Sequence, residues 1–159
     1  MTSEEFSARI VGMMQTLYRV SYSQLPQSSD REDAVQECLY KAWKNRHRLK
    51  DEGVMQTWVI RILINECRNI QRKRPEMPLD TVAENAAPPG ADRELYDALA
   101  SLEETLRLPL VLHYIEGYST IEIAKILLVP QGTVKSRMSR GRRELQKILN
   151  WEATELCEI

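Results

Sequence analysis

Apolar side chains recur at steps of three and four along most of this chain. Phe6, Ile10, Met13, Leu17 and Val20 form one such stripe behind Ser3, a residue able to cap a helix. Ser28, Ser29 and Asp30 offer caps ahead of a second stripe of Ala34, Val35, Cys38, Leu39, Ala42 and Trp43, in which Trp43 reads as core packing. A third stripe sets Trp58, Ile62, Asn65 or Glu66, and Asn69 beside Val59, Leu63 and Ile70. Alternation with period two is nearly absent and hairpin dipeptides such as Asn-Gly are missing. The pattern predicts an all-α fold.

The stripes stop at Pro75 to Arg93, which holds Pro75, Pro78, Pro88 and Pro89, then Gly90, in an acidic stretch poor in large apolar residues. Proline lacks the helix N–H and crowds the residue before it, so no helix should cross this segment. The expected organisation is two small helical domains, residues 1–74 and 95–159, joined by a Pro-rich acidic linker over residues 75–94.

Composition narrows the function. The net charge of −1 hides a division along the chain: residues 1–75 carry +4, residues 76–98 carry −5, and the remainder is neutral. Such asymmetry matters more than the total. No apolar run approaches the ~20 residues of a membrane span, and the start, Met1-Thr2-Ser3-Glu4-Glu5, carries no secretory signal. Cys38, Cys67 and Cys157 are scattered without a CxxC, and His47 and His113 lack companions at ligand spacing, so neither a metal site nor a disulfide framework is expected. The chain reads as a reduced, cytoplasmic protein without membrane insertion and without a cofactor. No nucleophile elbow or P-loop appears, and His113 in the apolar run Leu108–Ile115 reads as a satisfied histidine rather than a catalytic base.

The sharpest signal lies in the second domain. Ser119 and Thr120 can cap the short helix Ile121 to Leu127, the turn Leu128-Val129-Pro130-Gln131 follows, and a second helix starts near Gly132. Pro130, with its preset φ, suits a first helical turn. Val134, Met138, Gly141, Leu145 and Ile148 make one apolar stripe. The opposite face centres on Ser136, Ser139, Arg140, Arg143 and Lys147, flanked by Lys135 and Arg137. Between Gly132 and Lys147 six basic residues meet only Glu144. A charge run on a lone helix usually just solvates it. Here the capped helix before it, the turn and the small Ala124 where the helices would cross make a helix-turn-helix whose basic face fits a major groove.

The first domain adds two features that a simple duplex binder does not need. Asp30, Asp33 and Glu37 fall at steps of three and four, a polar ridge opposite the apolar stripe. Asn65 and Asn69 lie one turn apart beside Arg61, Arg68 and Arg72, and amides on a basic helix can bond the edges of unstacked bases.

Taken together, Asp33-Ala34-Val35-Gln36-Glu37, the stretch from Thr57-Trp58 to Asn65, and Gly132-Thr133-Val134-Lys135-Ser136-Arg137 resemble, in this order, the bacterial RNA polymerase sigma factors of the extracytoplasmic-function group. The resemblance runs from about Phe6 to Leu149. It implies a subunit that binds core RNA polymerase and directs promoter DNA recognition, strand opening and initiation, commonly restrained by an anti-sigma factor. By the same resemblance Asp30, Asp33, Gln36 and Glu37 dock on the polymerase clamp. The stretch Leu49, Lys50 and onward to Trp58 forms the loop that captures a flipped base of the minus-ten element, and Asn65 and Asn69 line its pocket, with Arg61, Arg68 and Arg72 alongside. Lys135, Ser136, Ser139 and Arg140 face bases of the minus-thirty-five element, while Thr133, Arg137, Arg142 and Arg143 hold phosphates. The capture loop here has no aromatic residue between Leu49 and Gln56, where many members carry them, and Asn69 stands where Asp is frequent. The competing reading is a two-domain repressor or activator acting on duplex DNA without polymerase.

Overall fold

Local capping chemistry sets the helix boundaries. The computed structural model describes residues 1–74 and 87–149, and among these residues all regular structure is helical. The acidic tail and most of the expected linker lie outside the described residues. The chain forms two units that divide between Pro88 and Pro89.

The first unit contains α1 (Ser3–Gln24), α2 (Ser28–Lys44) and α3 (Met55–Lys73). The cap of α1 is Thr2 rather than the expected Ser3. The Thr2 hydroxyl accepts from the Glu5 N–H (3.1 Å) and the Glu5 carboxylate accepts from the Thr2 N–H (2.7 Å). That reciprocal pair needs an acid three residues on, which Thr2 has and Ser3, followed by Phe6, lacks. Phe6, Met13, Leu17 and Val20 are buried, and Ile10 is half-buried. On α2 the small residues Ala34, Cys38 and Ala42, all fully buried, let α3 approach closely with Val59 and Leu63. The Cys38 thiol donates to the Val59 carbonyl (3.5 Å) in that seam, where burial, reinforced by the Glu66 carboxylate, pushes it up to about 12.

Trp43 is not in the core. It is 42% exposed, meeting Phe6 edge to face at 6.0 Å while the Arg46 guanidinium covers its ring at 3.8 Å. Its position at the margin of the α2 stripe satisfies the spacing without full burial, and the ring's outer face takes a cation instead.

The second unit runs α4 (Arg93–Ala100), α5 (Glu104–Leu110), a wide π turn over Val111–Ile115, α6 (Thr120–Leu127) and α7 (Gln131–Leu149). The π turn shows in the Glu116 N–H reaching back five residues to the Val111 carbonyl (3.1 Å), and Gly117 at φ +80° reverses the chain after it. His113 is half-buried, with Nδ1 2.7 Å from the Tyr118 carbonyl, so its ring is satisfied structurally.

Val134, Met138, Gly141 and Leu145 are buried as the stripe predicts, but Ile148, in the last turn of α7, is 46% exposed. Its spacing continues the stripe beyond the surface that the helix packs on. At Gly141 a Cβ would stand 2.9 Å from Leu110 Cδ1 and 3.2 Å from the Leu106 carbonyl oxygen. A Cβ there needs the Leu110 tip to turn aside and presses on the α5 backbone.

Leu128, which ends α6, adopts φ 56°, ψ 46° and is 72% exposed. A side chain in the left-handed region costs about 1–2 kcal/mol, and glycine returns part of any gain through its larger chain entropy. Leu128→Gly is therefore expected to raise stability by about 0.5–1 kcal/mol. Calorimetry showing an unchanged or lower melting temperature would contradict this account of the turn.

Candidate nucleic-acid interfaces

The polar face of α2 follows from what its opposite face buries. With Ala34, Val35, Cys38 and Ala42 turned inward, Asp33, Gln36 and Glu37 are left exposed. Asp30 does not join them. It is buried and bound by Arg74 Nη2 at 2.6 Å, a pair that ties the start of α2 to the end of α3. Because Asp30 sits in the first turn of α2, packed beneath the end of α3, helical spacing alone overstates its exposure. One turn beyond Glu37, Tyr40 is 58% exposed and places an aromatic ring on the same face.

Between α2 and α3 lies a pocket of about 510 Å³, within the range of small-ligand sites. Helix α3 supplies Trp58 as a half-buried wall, with Asn65, Glu66, Asn69 and Arg72. Asn65 is exposed and Asn69 half-exposed, and among the described residues neither amide has a hydrogen-bond partner. The end of α2 and the turn after it bring Lys41, Asn45 and Arg48. Arg48 and Arg72 make the pocket cationic, as a nucleotide phosphate requires.

The structure separates some residues that the sequence reading grouped. Arg61 and Arg68 are half-buried and do not line this pocket, so only Arg72 of the three cations shares it with the amides. Leu49, half-buried, and Lys50, exposed, line a second hollow with Phe6, Arg46 and Glu52. The loop that carries them is shaped by the Asp51 carboxylate accepting from the Gly53 N–H (2.9 Å) and by Arg9, which donates to the Glu52 carbonyl (3.3 Å).

In the second unit, Ser119 and Glu122 form a capping box at the start of α6. The Gln131 amide donates to the Thr120 hydroxyl (2.8 Å), fastening α7 to α6 across the turn. Pro130 stands just before α7 rather than within its first turn, because its carbonyl already accepts from the Thr133 and Val134 N–H groups (3.0 and 3.2 Å). Lys135, Ser136, Ser139, Arg140 and Arg143 are exposed on the side away from the buried stripe, and Thr133 and Arg137 are half-buried at its flanks. Arg140 is 3.9 Å from Glu144, a loose pair that a base or phosphate can displace. Arg142 is held differently: its Nη1 donates to the Tyr114 hydroxyl (3.0 Å), which draws it toward the π turn.

The sequence-family model described as Sigma-70 region 2 matches residues 12–75, and that described as Sigma-70, region 4 matches residues 92–145. The ECF RNA polymerase sigma factor SigW of Bacillus subtilis is 36% identical over 156 residues, covering 84% of this chain and 82% of SigW. This chain is an extracytoplasmic-function (ECF) sigma factor. The ECF sigma-E factor of Escherichia coli K12 is 31% identical over 139 residues, covering 74% of this chain and 73% of its own. Among solved structures, the sigma factor RpoE in complex with the anti-sigma factor NepR from Bartonella quintana superposes with a TM-score of 0.78 at 24% identity, over 94% of this chain and 99% of that one. CnrH in complex with the cytosolic domain of CnrY gives 0.75 at 23% identity, over 94% and 90%. At those identities the likeness is one of fold, and it agrees with the all-α reading.

As a sigma factor the protein is a promoter-recognition subunit of RNA polymerase and not an enzyme. No helix among the described residues is long and apolar enough to cross a membrane, and they hold no group of three or more His, Cys, Asp or Glu that could bind a metal ion. Sequence reasoning missed the pocket residues of this sigma factor that come from outside α3. Lys41, Asn45 and Arg48 belong to another element, and nothing in their spacing points toward Asn65. Tyr40 was within reach, since it lies one turn from Glu37.

Proposed function

We propose that the sigma factor divides its work among three surfaces. The face of α2 with Asp33, Gln36 and Glu37 docks on core polymerase, while Asp30 and Arg74 brace it from behind. The pocket of Trp58, Asn65, Asn69 and Arg72 receives an unstacked base of the minus-ten element, with Leu49 and Lys50 in the loop beside it. Helix α7 reads the minus-thirty-five element, Lys135, Ser136, Ser139 and Arg140 toward bases and Thr133, Arg137 and Arg143 toward phosphates. Arg142 reaches a phosphate from its seat on Tyr114. On this reading residues 1–74 and the residues from the start of α4 at Arg93 onward are the two promoter-binding domains, and the stretch between them joins them. The protein works beside polymerase in the cytoplasm, and an anti-sigma factor restrains it; the structural neighbour RpoE is itself bound to the anti-sigma factor NepR.

The observation that carries the proposal is the pair of amides, unengaged among the described residues, in a cationic pocket walled by a tryptophan. Duplex phosphates need only cations, whereas amides and an aromatic wall suit a base out of its stack. The test is co-purification with core polymerase and permanganate mapping of unpaired thymines on bound promoters. Specific duplex binding without polymerase, and no melting with it, would favour a repressor.

Glu37→Lys reverses charge on an exposed position, so the fold should survive while core polymerase binding falls at least several-fold. Circular dichroism and a pull-down with core enzyme check both halves. A folded variant that is retained normally removes this face from the interface.

A further inference from the structure

Among the polar groups of the pocket that base capture as described does not use, Glu66 is the buried one. Glu66 is 7% exposed, the least exposed polar residue of the lining, and its Oε1 is bound by the Lys41 ammonium arriving from α2. The Lys41 side chain remains 41% exposed, and the carboxylate beside it holds its ammonium above the ordinary lysine value. Among the described residues no hydrogen bond engages Glu66 Oε2.

An ionised carboxylate oxygen accepts hydrogen bonds and donates none. The Lys41 ammonium takes up Oε1, which leaves Oε2 as the carboxylate oxygen free to meet a ligand. A base entering the pocket therefore meets an acceptor-only oxygen beside the amides, which offer both donors and acceptors. Adenine, cytosine and guanine each carry an exocyclic amino group that can donate to it. Thymine's one edge donor, N3–H, lies between two carbonyl oxygens, so presenting it to Oε2 crowds those carbonyls against the carboxylate, and turning either carbonyl toward Oε2 sets two acceptors face to face away from water, an arrangement that costs rather than binds. We propose that the Lys41–Glu66 pair determines base preference in this pocket by rejecting thymine in favour of a base with an exocyclic amine. The inference rests on the pocket being the base-capture site.

The holoenzyme itself provides the test. A promoter library randomised through both elements is selected for open-complex formation with wild-type protein and then with Glu66→Gln. Wild type should deplete thymine roughly tenfold or more at one non-template position, the scale of a lost specific base contact. Glu66→Gln places an amide N–H where only acceptors stood, so thymine should return at that position to within about threefold of the other bases. Circular dichroism of the variant confirms folding. A second arm needs no variant: in wild type, 5-methylcytosine at the same position should open like cytosine, since it differs from thymine by the amine and not by the methyl group. Thymine accepted at every position, an undiminished bias in folded Glu66→Gln, or 5-methylcytosine opening as poorly as thymine would each overturn the assignment. A holoenzyme that opens no promoter in the library overturns base capture and this inference together.

Discussion

Holoenzyme assembled with Asn65→Ala forms open complexes roughly ten- to hundredfold less well than wild type, while its affinity for the upstream element through α7 is unchanged. An unstacked, unpaired base is a few kcal/mol uphill and stays out only if the protein supplies new partners. Asn65 is exposed at the pocket with its amide unengaged, so it can provide both a donor and an acceptor without breaking any bond of the fold. Losing such a contact costs about 1–3 kcal/mol. The same exposure makes the substitution benign for stability, within about 0.5 kcal/mol. Permanganate reactivity near the start site measures opening, and a premelted bubble should rescue the variant only in part, because capture is lost as well as melting. Wild-type opening by a folded Asn65→Ala holoenzyme would remove the amide from base capture.

The second large effect is on folding. Gly141→Val puts a branched carbon where the α5 backbone leaves no room: the Leu106 carbonyl oxygen stands 3.2 Å from an added Cβ and Leu110 Cδ1 at 2.9 Å. The leucine tip can rotate away, but the carbonyl can move only with its helix. Overpacking of this kind costs about 1–3 kcal/mol, occasionally more, which for a unit of this size is a fall in melting temperature on the order of 10 °C. Gly141→Ala should lose far less, since alanine regains up to ~1 kcal/mol of helix propensity. Calorimetry should show the valine variant's loss alongside weakened upstream-element binding, with core polymerase binding by the first unit retained. Equal stability of the valine and wild-type proteins would mean that α5 and α7 are not in the contact described.

What the sequence made legible was periodic. The stripes on α1, α2, α3 and α7 follow helical spacing, and their buried residues are largely those that the spacing names. Spacing fails where burial depends on a neighbour rather than on the helix itself. Trp43 and Ile148 continue their stripes past the surface that covers them, and Asp30 sits on a polar step yet is covered by the end of α3. The candidate pocket was half legible. Asn65 and Asn69 announce themselves by an i,i+4 pattern, whereas Lys41 and Glu66 meet across 25 positions of chain and carry no local signature. The hold of Tyr114 on Arg142 depends on a π turn, which no 3.6-residue period predicts.

The seam between α2 and α3 gives the first unit an internal clock. Thiolate, not thiol, reacts with alkylating agents and oxidants, and a Cys38 thiol pushed up to about 12 holds almost none at neutral pH. Its sulfur is also covered on every side. Chemical modification of Cys38 therefore has to wait until the two helices part, and the labelling rate counts those openings. A partner that braces α2 against α3 slows the count in proportion to the stability it adds. Peroxide stress that leaves the helices together passes this cysteine by.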